Sequence, residues 1–236
     1  LTTYLAILVS GQASALSLVS AVLIPAVLMG VIGLVDDIKK LSPWPRFIAQ
    51  NLFGLVIAVI LIATSTLGSP TGNTLIDVAI TTLWIVGITN SINFFDNVDG
   101  GASGTVAISS LFLFFLSLQG GQYAIAALSL VLTGATTGFL LWNKPPARIY
   151  MGDAGALFLG VLLATLTIRL NPDTNSTIAS FSIPILILAV PILDTSVAVI
   201  SRLRRKISPF QGGKDHLSHR LIRFGVSRKK SAVSLW

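Results

Sequence analysis

Long apolar segments separated by short polar loops constrain this chain more than any other feature of its sequence. A helix that crosses a membrane needs about 17–25 predominantly apolar residues. Charged residues make up only 11% of the chain, whereas a water-soluble domain carries about a quarter. The sequence therefore predicts an all-α fold, a polytopic transmembrane helix bundle, and excludes a water-soluble domain. The predicted spans are residues 16–35, 47–66, 74–92, 103–119, 122–142, 154–170 and 180–200.

The predicted domain organisation is simple. Residues 1–236 form a single integral membrane domain, in which residues 201–230 are a basic cytoplasmic loop. The chain begins with Leu, and residues 231–236 look like the start of another helix. We therefore expect a fragment of a membrane protein that is truncated at both ends, with residues 1–10 as the last part of an earlier helix.

The basic residues lie almost entirely on one side of the predicted membrane. Of the 16 Lys and Arg residues, three fall in loop 36–46, two in loop 143–153 and ten in segment 201–230. The positive-inside rule assigns this side to the cytoplasm. We interpret the runs Arg202–Lys206 and Arg228–Lys230 as topology determinants that touch anionic lipid headgroups of the bilayer. Because the basic residues are not interleaved with stacking aromatics, the charge of +7 predicts no nucleic-acid partner.

All nine acidic residues are Asp, and six of them lie in loops on this same side. Acids near membrane segments are costly unless they are paired, hydrated or bound to a cation. Their convergence on one face therefore indicates a site for a metal ion and a phosphorylated substrate. Asp77 and Asp173, on the opposite face, are interpreted as ordinary loop or helix-cap polarity. The six are Asp36, Asp37, Asp96, Asp99, Asp153 and Asp215.

The adjacent acids Asp36 and Asp37 need a compensating positive charge, because like charges this close raise one another's pKa. Lys39, Lys40 and Arg46 could supply that charge. A hard divalent ion such as Mg²⁺ could also supply it, since Mg²⁺ prefers oxygen ligands and usually binds substrate phosphates together with one or two carboxylates. The residues alone leave both interpretations open.

Two further segments carry glycine beside oxygen ligands. Residues 90–104 contain Asn and Asp side chains together with glycines that permit tight turns and close backbone approach to a ligand. Residues 151–155 open the next apolar span. There Asp153 is either a helix N-cap or the neighbour of exposed amide groups that favour phosphate.

The last polar segment, residues 208–220, contains both histidines of the chain. If it is helical, His216 and His219 lie on one face and could contact a phosphate or a metal. The alternative is surface polarity, but the neighbouring Lys214–Asp215 pair and Arg220 favour anion binding. The chain has no Cys, which removes thiolate metal sites and Cys nucleophiles from consideration.

These motifs, taken in order, resemble a known family. Gly33–Asp37, Asn93–Gly100, Met151–Gly155, Pro191–Thr195 and Asp215–Arg220 together look like the polyprenyl-phosphate N-acetylhexosamine-1-phosphate transferases, a bacterial glycosyltransferase family 4 superfamily. It includes the phospho-MurNAc-pentapeptide transferase of peptidoglycan synthesis and the GlcNAc-1-phosphate transferases of O-antigen and teichoic acid synthesis. The resemblance implies a bundle of about ten membrane helices, of which this fragment would hold about seven complete spans.

The resemblance also implies an enzymatic activity. A UDP-N-acetylamino-sugar, with GlcNAc as the expected sugar, would donate its sugar-1-phosphate to undecaprenyl phosphate and release UMP. Mg²⁺ is the implied cofactor and Mn²⁺ the alternative ion. The enzyme would lie in the bacterial cytoplasmic (inner) membrane with its active site facing the cytoplasm. A homodimer is one oligomeric state that we leave open.

Site roles follow from the resemblance by position. The paired acids match residues that handle the lipid phosphate, one of them a candidate base, and a third acid matches one placed near the nucleotide and diphosphate. The implied catalytic residues are Asp36, Asp37 and Asp96; the implied metal ligands are Asn93 and Asp153; and the implied substrate-binding residues are Arg46, Asp99, His216, His219 and Arg220.

Alternatives remain at this point. The family often has His-x-His-His where this chain has Ser218 in place of the middle imidazole, which argues against the pentapeptide transferase. A non-catalytic homologue that binds lipid phosphate is disfavoured because all the core acids are kept. A transporter with carboxylate ion sites is disfavoured because the acids gather at helix ends, whereas transport sites usually lie near mid-membrane. Asp194 alone would suit a transporter, and we expect it to be a buried structural contact instead.

Overall fold

A computed structural model describes residues 13–63, 71–171, 177–210 and 212–236. The predicted helix end at residues 1–10, the last residues of span 47–66 and the cap at Asp173 lie outside these ranges. The described residues form only helices and their connections, which confirms the predicted all-α bundle. The helices are α1 (Ala13–Lys39), α2 (Pro43–Ala63), α3 (Thr74–Phe95), α4 (Gly101–Gln119), α5 (Tyr123–Asn143), α6 (Gly152–Ile168), α7 (Thr177–Ile187), α8 (Ala189–Arg204), α9 (Leu217–Arg223) and α10 (Arg228–Leu235).

Five helices, α1 to α5, are long and apolar enough to cross a membrane. The predicted span 180–200 is a bent pair instead, because α7 and α8 meet at an angle of 75° and reach spanning length only together. Pro191 explains the break, since proline lacks the N–H that would bond the carbonyl of residue 187 and its ring clashes with that carbonyl. The chain is a multi-pass membrane protein, and its described residues include five such helices, or six spans if the bent pair is counted as one.

Helix α6 has only 17 residues and lies inside the bundle, where eleven of them are buried. It packs against α1 and α3. Two glycines permit the close approach: a Cβ on Gly33 of α1 would collide with the backbone of Asp153, and a Cβ on Gly160 would lie 2.7 Å from the Cα of Thr89 in α3. Small residues at helix contacts have this role in membrane bundles. The packing sets the start of α6 against the ends of α1 and α3.

At the opposite end of the bundle, polar groups cap α3. The Asn73 side chain accepts hydrogen bonds from the N–H groups of Leu75 and Ile76. Asp77 accepts from the N–H and hydroxyl of Thr71 at 3.1 and 2.8 Å. The interpretation of Asp77 as local polarity at a helix start is therefore confirmed.

Segment 201–230, predicted as a basic loop, contains the end of α8, all of α9 and the start of α10. The helix predicted to begin at residues 231–236 is α10, which begins at Arg228. Its packing on α4 is specific: the indole N–H of Trp236 donates to the carbonyl of Gly100 at 3.0 Å, and its ring lies where a Cβ on Gly104 would have to go.

Candidate active site

A cavity of about 530 Å³ opens on the basic side of the bundle, where α1 and α3 end and α6 begins. The three implied catalytic residues and the two implied metal ligands all contribute to its lining. Sequence analysis did not identify Lys40, Leu41 and Tyr150 as part of the wall. The lining residues are Asp36, Asp37, Lys40, Leu41, Asn93, Asp96, Tyr150, Gly152 and Asp153.

One guanidinium nitrogen joins two of the carboxylates. Arg46 Nη1 lies 2.5 Å from Asp36 Oδ2 and 2.7 Å from Asp153 Oδ2. Asp36 is buried and also accepts a hydrogen bond from the N–H of Leu41 at 2.8 Å. Arg46 lies in the first turn of α2, so the short connection from α1 places it directly over the site. It therefore supplies the positive charge that the acids need.

Asp37 caps α6 from a neighbouring helix. Its carboxylate accepts from the backbone N–H groups of Asp153 at 2.9 Å and Ala154 at 3.0 Å. Gly152 has a φ of +65°, and a Cβ there would lie 2.7 Å from Asp37 Oδ2. Glycine is therefore needed for both reasons. Of the two alternatives for Asp153, the N-cap is wrong: the cap is Asp37, and this anion already occupies the helix start.

Asn93 and Asp96 complete the cluster from the end of α3. The Asn93 side-chain N–H donates to Asp153 Oδ1 at 2.5 Å. Asp96 lies just beyond the last residue of α3, and burial, with the charges of Asp153, Asp99 and Asp37, raises its pKa to about 7. The cavity therefore carries more negative charge than Arg46 neutralises.

The donor set is compatible with a divalent cation. Among the residues that the structure describes, no three His or Asp side chains are grouped closely enough to form a metal site alone. Mg²⁺ does not require such a group, because it usually takes one or two carboxylates and completes its shell with substrate phosphates and water. Asn93 and Asp153 each carry a side-chain oxygen and lie at hydrogen-bond distance from one another, with the carboxylate of Asp96 in the same cavity. The residues fit Mg²⁺ bound together with a phosphate.

The histidine segment is held by a buried polar network. His216 is buried, with Nδ1 2.7 Å from Asp194 Oδ2 and Nε2 3.2 Å from Arg202 Nη2. Since both ring nitrogens have partners, His216 has no free nitrogen for the predicted substrate contact. Asp194 is completely buried and also accepts from the N–H of Leu217 at 2.6 Å. This confirms the prediction that Asp194 is a structural contact.

Arg202 is the centre of this network, and its interpretation as a headgroup contact is wrong. Its side chain is 3% exposed, donates to the carbonyl of Pro209 at 2.7 Å and pairs with Asp215 at 3.2 Å. Arg205 pairs with the other oxygen of Asp215. Burial by itself would raise the pKa of Asp215, but the two arginines outweigh it and lower the pKa. Asp215 therefore forms ion pairs with two arginines at the C-terminal end of α8.

Among the described residues, two of the three remaining predicted substrate contacts form hydrogen bonds within the protein and one does not. His219 is half-buried, and its side chain forms no hydrogen bond within the described part of the chain; burial and the charge of His216 lower its pKa. Arg220 is exposed and donates through Nε to the carbonyl of Asp215 at 3.1 Å. Asp99 lies outside the cavity lining and accepts from the N–H of Ala147 at 3.0 Å.

Ser218, which stands at the position of the missing imidazole, is fully buried. Its hydroxyl donates to Asn97 Oδ1, and its carbonyl accepts from the hydroxyl of Ser231 at 3.0 Å. It therefore joins the histidine segment to the loop that carries Asp96 and to α10. Nothing in the sequence pattern pointed to Asn97 or Ser231 as its partners, because both lie far from it along the chain.

An apolar groove of about 600 Å³ runs along α2, α3 and α8 beside the polar cavity. Phe47, Phe94 and Phe210 line it, with the rings of Phe47 and Phe210 5.1 Å apart. Phe94 immediately follows Asn93, and Phe47 immediately follows Arg46. Helix α3 therefore contributes to both openings, to the polar cavity through Asn93 and to the apolar groove through Phe94.

The fold and this cluster define a multi-pass, all-α membrane protein with an acidic cavity beside an apolar groove. The chain belongs to glycosyl transferase family 4, whose sequence model matches residues 19–171.

Several curated proteins are similar over most of the chain. A Bacillus subtilis protein named "Probable undecaprenyl-phosphate N-acetylglucosaminyl 1-phosphate transferase" is 36% identical over 226 residues, which is 92% of this chain and 62% of the relative. The decaprenyl-phosphate N-acetylglucosaminephosphotransferase of Mycolicibacterium smegmatis is 32% identical, covering 92% of this chain and 59% of the relative. A Streptococcus uberis phospho-N-acetylmuramoyl-pentapeptide-transferase is 30% identical, over 71% of this chain and 54% of the relative. The chain thus spans about three fifths of the length of the first two.

Proposed function

We propose that this protein transfers N-acetylhexosamine-1-phosphate, with GlcNAc as the sugar, from a UDP-sugar to undecaprenyl phosphate in cell-envelope polysaccharide synthesis. The observation that carries the proposal is the cavity in which Asp36, Asp37, Asn93, Asp96 and Asp153 meet at one end of the bundle. The names of the Bacillus subtilis and Mycolicibacterium smegmatis relatives support GlcNAc as the transferred sugar. The positive-inside rule supports a site facing the cytoplasm of a bacterial cytoplasmic membrane.

The reaction exchanges one phosphoanhydride for another. A phosphate oxygen of the polyprenyl phosphate attacks the phosphorus that carries the sugar, and the bond from that phosphorus to the oxygen of UMP breaks. The products are polyprenyl diphosphate N-acetylhexosamine and UMP, which keeps the bonding electron pair. Attack of one anion on another requires charge neutralisation and positioning, which dominate phosphoryl-transfer catalysis.

The residues divide this work between them. Asn93 and Asp153 would hold Mg²⁺, or Mn²⁺ as the alternative, and the ion would neutralise charge on the donor diphosphate. The guanidinium of Arg46 carries the positive charge nearest to the carboxylates. Asp36 and Asp37 accept hydrogen bonds from Arg46 and from the start of α6, so both carboxylates are held in fixed positions. Asp96, whose pKa lies about 7, is the acid best suited to exchange a proton at neutral pH.

The groove explains how a lipid substrate could reach a polar site. Its lining is mainly apolar, and it follows helices that cross the membrane. A prenyl chain lying there would keep its tail in a hydrocarbon environment while its phosphate reached the cavity beyond Phe94. His219, as the free imidazole of the histidine segment, is available for a phosphate or sugar oxygen.

The decisive experiment offers two donors to membranes that contain the protein. UDP-GlcNAc and the UDP-MurNAc-pentapeptide are each supplied with undecaprenyl phosphate and Mg²⁺, and UMP release is measured. UMP from UDP-GlcNAc supports the proposal. UMP from the pentapeptide donor alone would assign the second candidate, which the similarity to the streptococcal enzyme favours.

Absence of Mg²⁺-dependent UMP release from any UDP-sugar would overturn both enzymatic assignments. Ion movement into liposomes without UDP-sugar turnover would then favour a transporter. The structure gives that class little support, since Asp194, its best ion ligand, is bonded to His216 and Leu217.

A further inference from the structure

Arg46 occupies the position between two carboxylates where a cation is needed. A single nitrogen, Nη1, contacts both Asp36 Oδ2 and Asp153 Oδ2, and the arginine side chain is only 18% exposed. Asp36 is 5% exposed, so its charge would be poorly solvated without this partner. Leaving a buried charge unpaired is strongly destabilising. The guanidinium of Arg46 is therefore the counter-ion of the Asp36 and Asp153 carboxylates.

The same carboxylate is the leading candidate ligand for the metal. Asp153 has one oxygen on Arg46 and the other on Asn93. A divalent ion that binds Asp153 through Oδ2 would meet the positive guanidinium at hydrogen-bond distance from the same oxygen. Two cations cannot share that oxygen at short range without large repulsion. Arg46 and the metal must therefore compete for Asp153.

A diphosphate offers the guanidinium another partner. Arginine binds phosphate oxygens through paired N–H donors, with geometry as good as that of a carboxylate. When the donor diphosphate enters the cavity, Arg46 can move its bonds from Asp153 to phosphate, and Asp153 is then released to the metal. Metal and diphosphate would each favour the same rearranged state, so each would tighten the binding of the other.

We propose that Arg46 is a positioning residue that couples metal binding to diphosphate binding. It holds Asp153 before the donor binds and releases Asp153 when the diphosphate binds. The inference rests on the proposed function, because it takes the divalent ion and the UDP-sugar from it. It assigns to Arg46 a role beyond contact with phosphate: the residue weakens metal binding until the donor is present.

The test measures Mn²⁺ affinity by the electron paramagnetic resonance signal of the free ion, using purified protein in lipid nanodiscs without lipid acceptor. In the absence of nucleotide, Arg46→Gln should bind Mn²⁺ about tenfold more tightly than the wild type, since a competing unit charge is removed at close range. The gain in Mn²⁺ affinity on adding UDP-GlcNAc should be several-fold larger for the wild type than for Arg46→Gln.

Lys40→Gln is the matched control. Lys40 lines the same cavity and the variant removes the same charge, but Lys40 is exposed and forms no ion pair among the described residues. Its effect on Mn²⁺ affinity should stay within about twofold, because exposed charges are screened. Arg46→Lys keeps a competing charge and should lie between the wild type and Arg46→Gln; it also serves if Arg46→Gln does not fold.

Distinct results separate the two proposals. Equal Mn²⁺ affinity in the wild type, Arg46→Lys and Arg46→Gln would overturn the competition while leaving the metal enzyme intact. Equal gains in Arg46→Gln and Lys40→Gln would show a general charge effect and would also overturn it. Failure of every variant to bind Mn²⁺, with UDP-GlcNAc present or absent, would remove the metal from the proposed function itself.

Discussion

Asp153 is the residue on which most of the site depends, because it contacts Arg46, Asn93 and, through its backbone, Asp37. Asp153→Asn keeps the shape of the side chain but loses its charge. We expect UMP release to fall at least about 100-fold, since a lost metal ligand removes transition-state charge stabilisation. Asp77→Asn, at the opposite end of the bundle, should keep turnover within about twofold. Near-normal turnover in Asp153→Asn would contradict the assigned metal ligand.

Asp96 should make the stability of the metal-free protein depend on pH. Its pKa is about 7 in the folded protein and 3.8 ordinarily. Between these values the folded state holds a proton that the unfolded state has lost, so the free energy of unfolding decreases as pH rises through this window. Thermal unfolding at pH 5 and pH 8 should show a smaller decrease for Asp96→Asn than for the wild type. Comparing the two proteins removes the contribution of other groups, and parallel profiles would rule out the raised pKa.

Residue types were easier to predict than residue partners. The acids Asp36, Asp37, Asp96 and Asp153 could be placed at one site, because polar side chains at the ends of apolar helices stand out, whereas Asn93 was singled out by the family resemblance. The partners could not be placed in the same way. That Asp37 would cap α6, and not only face a phosphate, depends on how closely two helices pack, and no local pattern encodes that contact.

The basic run at the end of α8 shows the same limit. Arg202, Arg204 and Arg205 are equivalent in a count of charges, but α8 turns Arg202 inward to Asp215 and leaves Arg204 exposed. Arg202 points towards Pro209, Asp215 and His216, which it contacts in the fold. Sequence analysis could therefore assign the run to one side of the membrane but not select its buried member.

At the scale of the element, the contact between α8 and the histidine segment should be strongly stabilising. Asp194→Ala removes the acceptor for both the imidazole of His216 and the N–H of Leu217. Two buried donors would be left unsatisfied, at a cost of about 2 kcal/mol or more. We expect a clear decrease in the thermal unfolding temperature in detergent. Ser196→Ala, two residues further along α8, should change it little, since among the described residues its hydroxyl bonds only the Ile192 carbonyl of its own helix. Equal effects would show that Asp194 does not anchor the segment.

The contact between α1 and α6 is the second element on which the site depends. Gly33→Val would place a side chain in the backbone of Asp153. The helices would have to separate, so Asp37 would lose its bonds to the start of α6, and both the unfolding temperature and UMP release should fall. Gly134→Val, on α5, is the matched control, because a Cβ at Gly134 meets no atom within 4 Å. Retained activity in Gly33→Val would mean that the helices tolerate a wider spacing.

The existence of the apolar helices was predictable from the sequence, whereas the break within the last predicted span was not. Helices α1 to α5 follow the predicted apolar segments, because a lipid-facing helix needs a continuous apolar length. Helix α6 has the predicted length of 17 residues but begins at Gly152, two residues earlier than predicted, and it is surrounded by protein. The break between α7 and α8 depends on Pro191, whose effect varies with what neighbouring helices provide.

For the whole molecule, the arrangement predicts that the acid cavity faces the cytoplasm. Helix α5 provides the test, since Tyr123 at its start and Lys144 just beyond its end are exposed and lie on opposite sides. The chain has no Cys of its own, so single cysteines can be labelled selectively. A membrane-impermeant maleimide should modify Tyr123→Cys in intact cells and Lys144→Cys only in inverted vesicles. The reverse pattern would place the cavity outside the cell, away from any supply of UDP-sugar, and would contradict the proposed reaction even if the site residues proved essential.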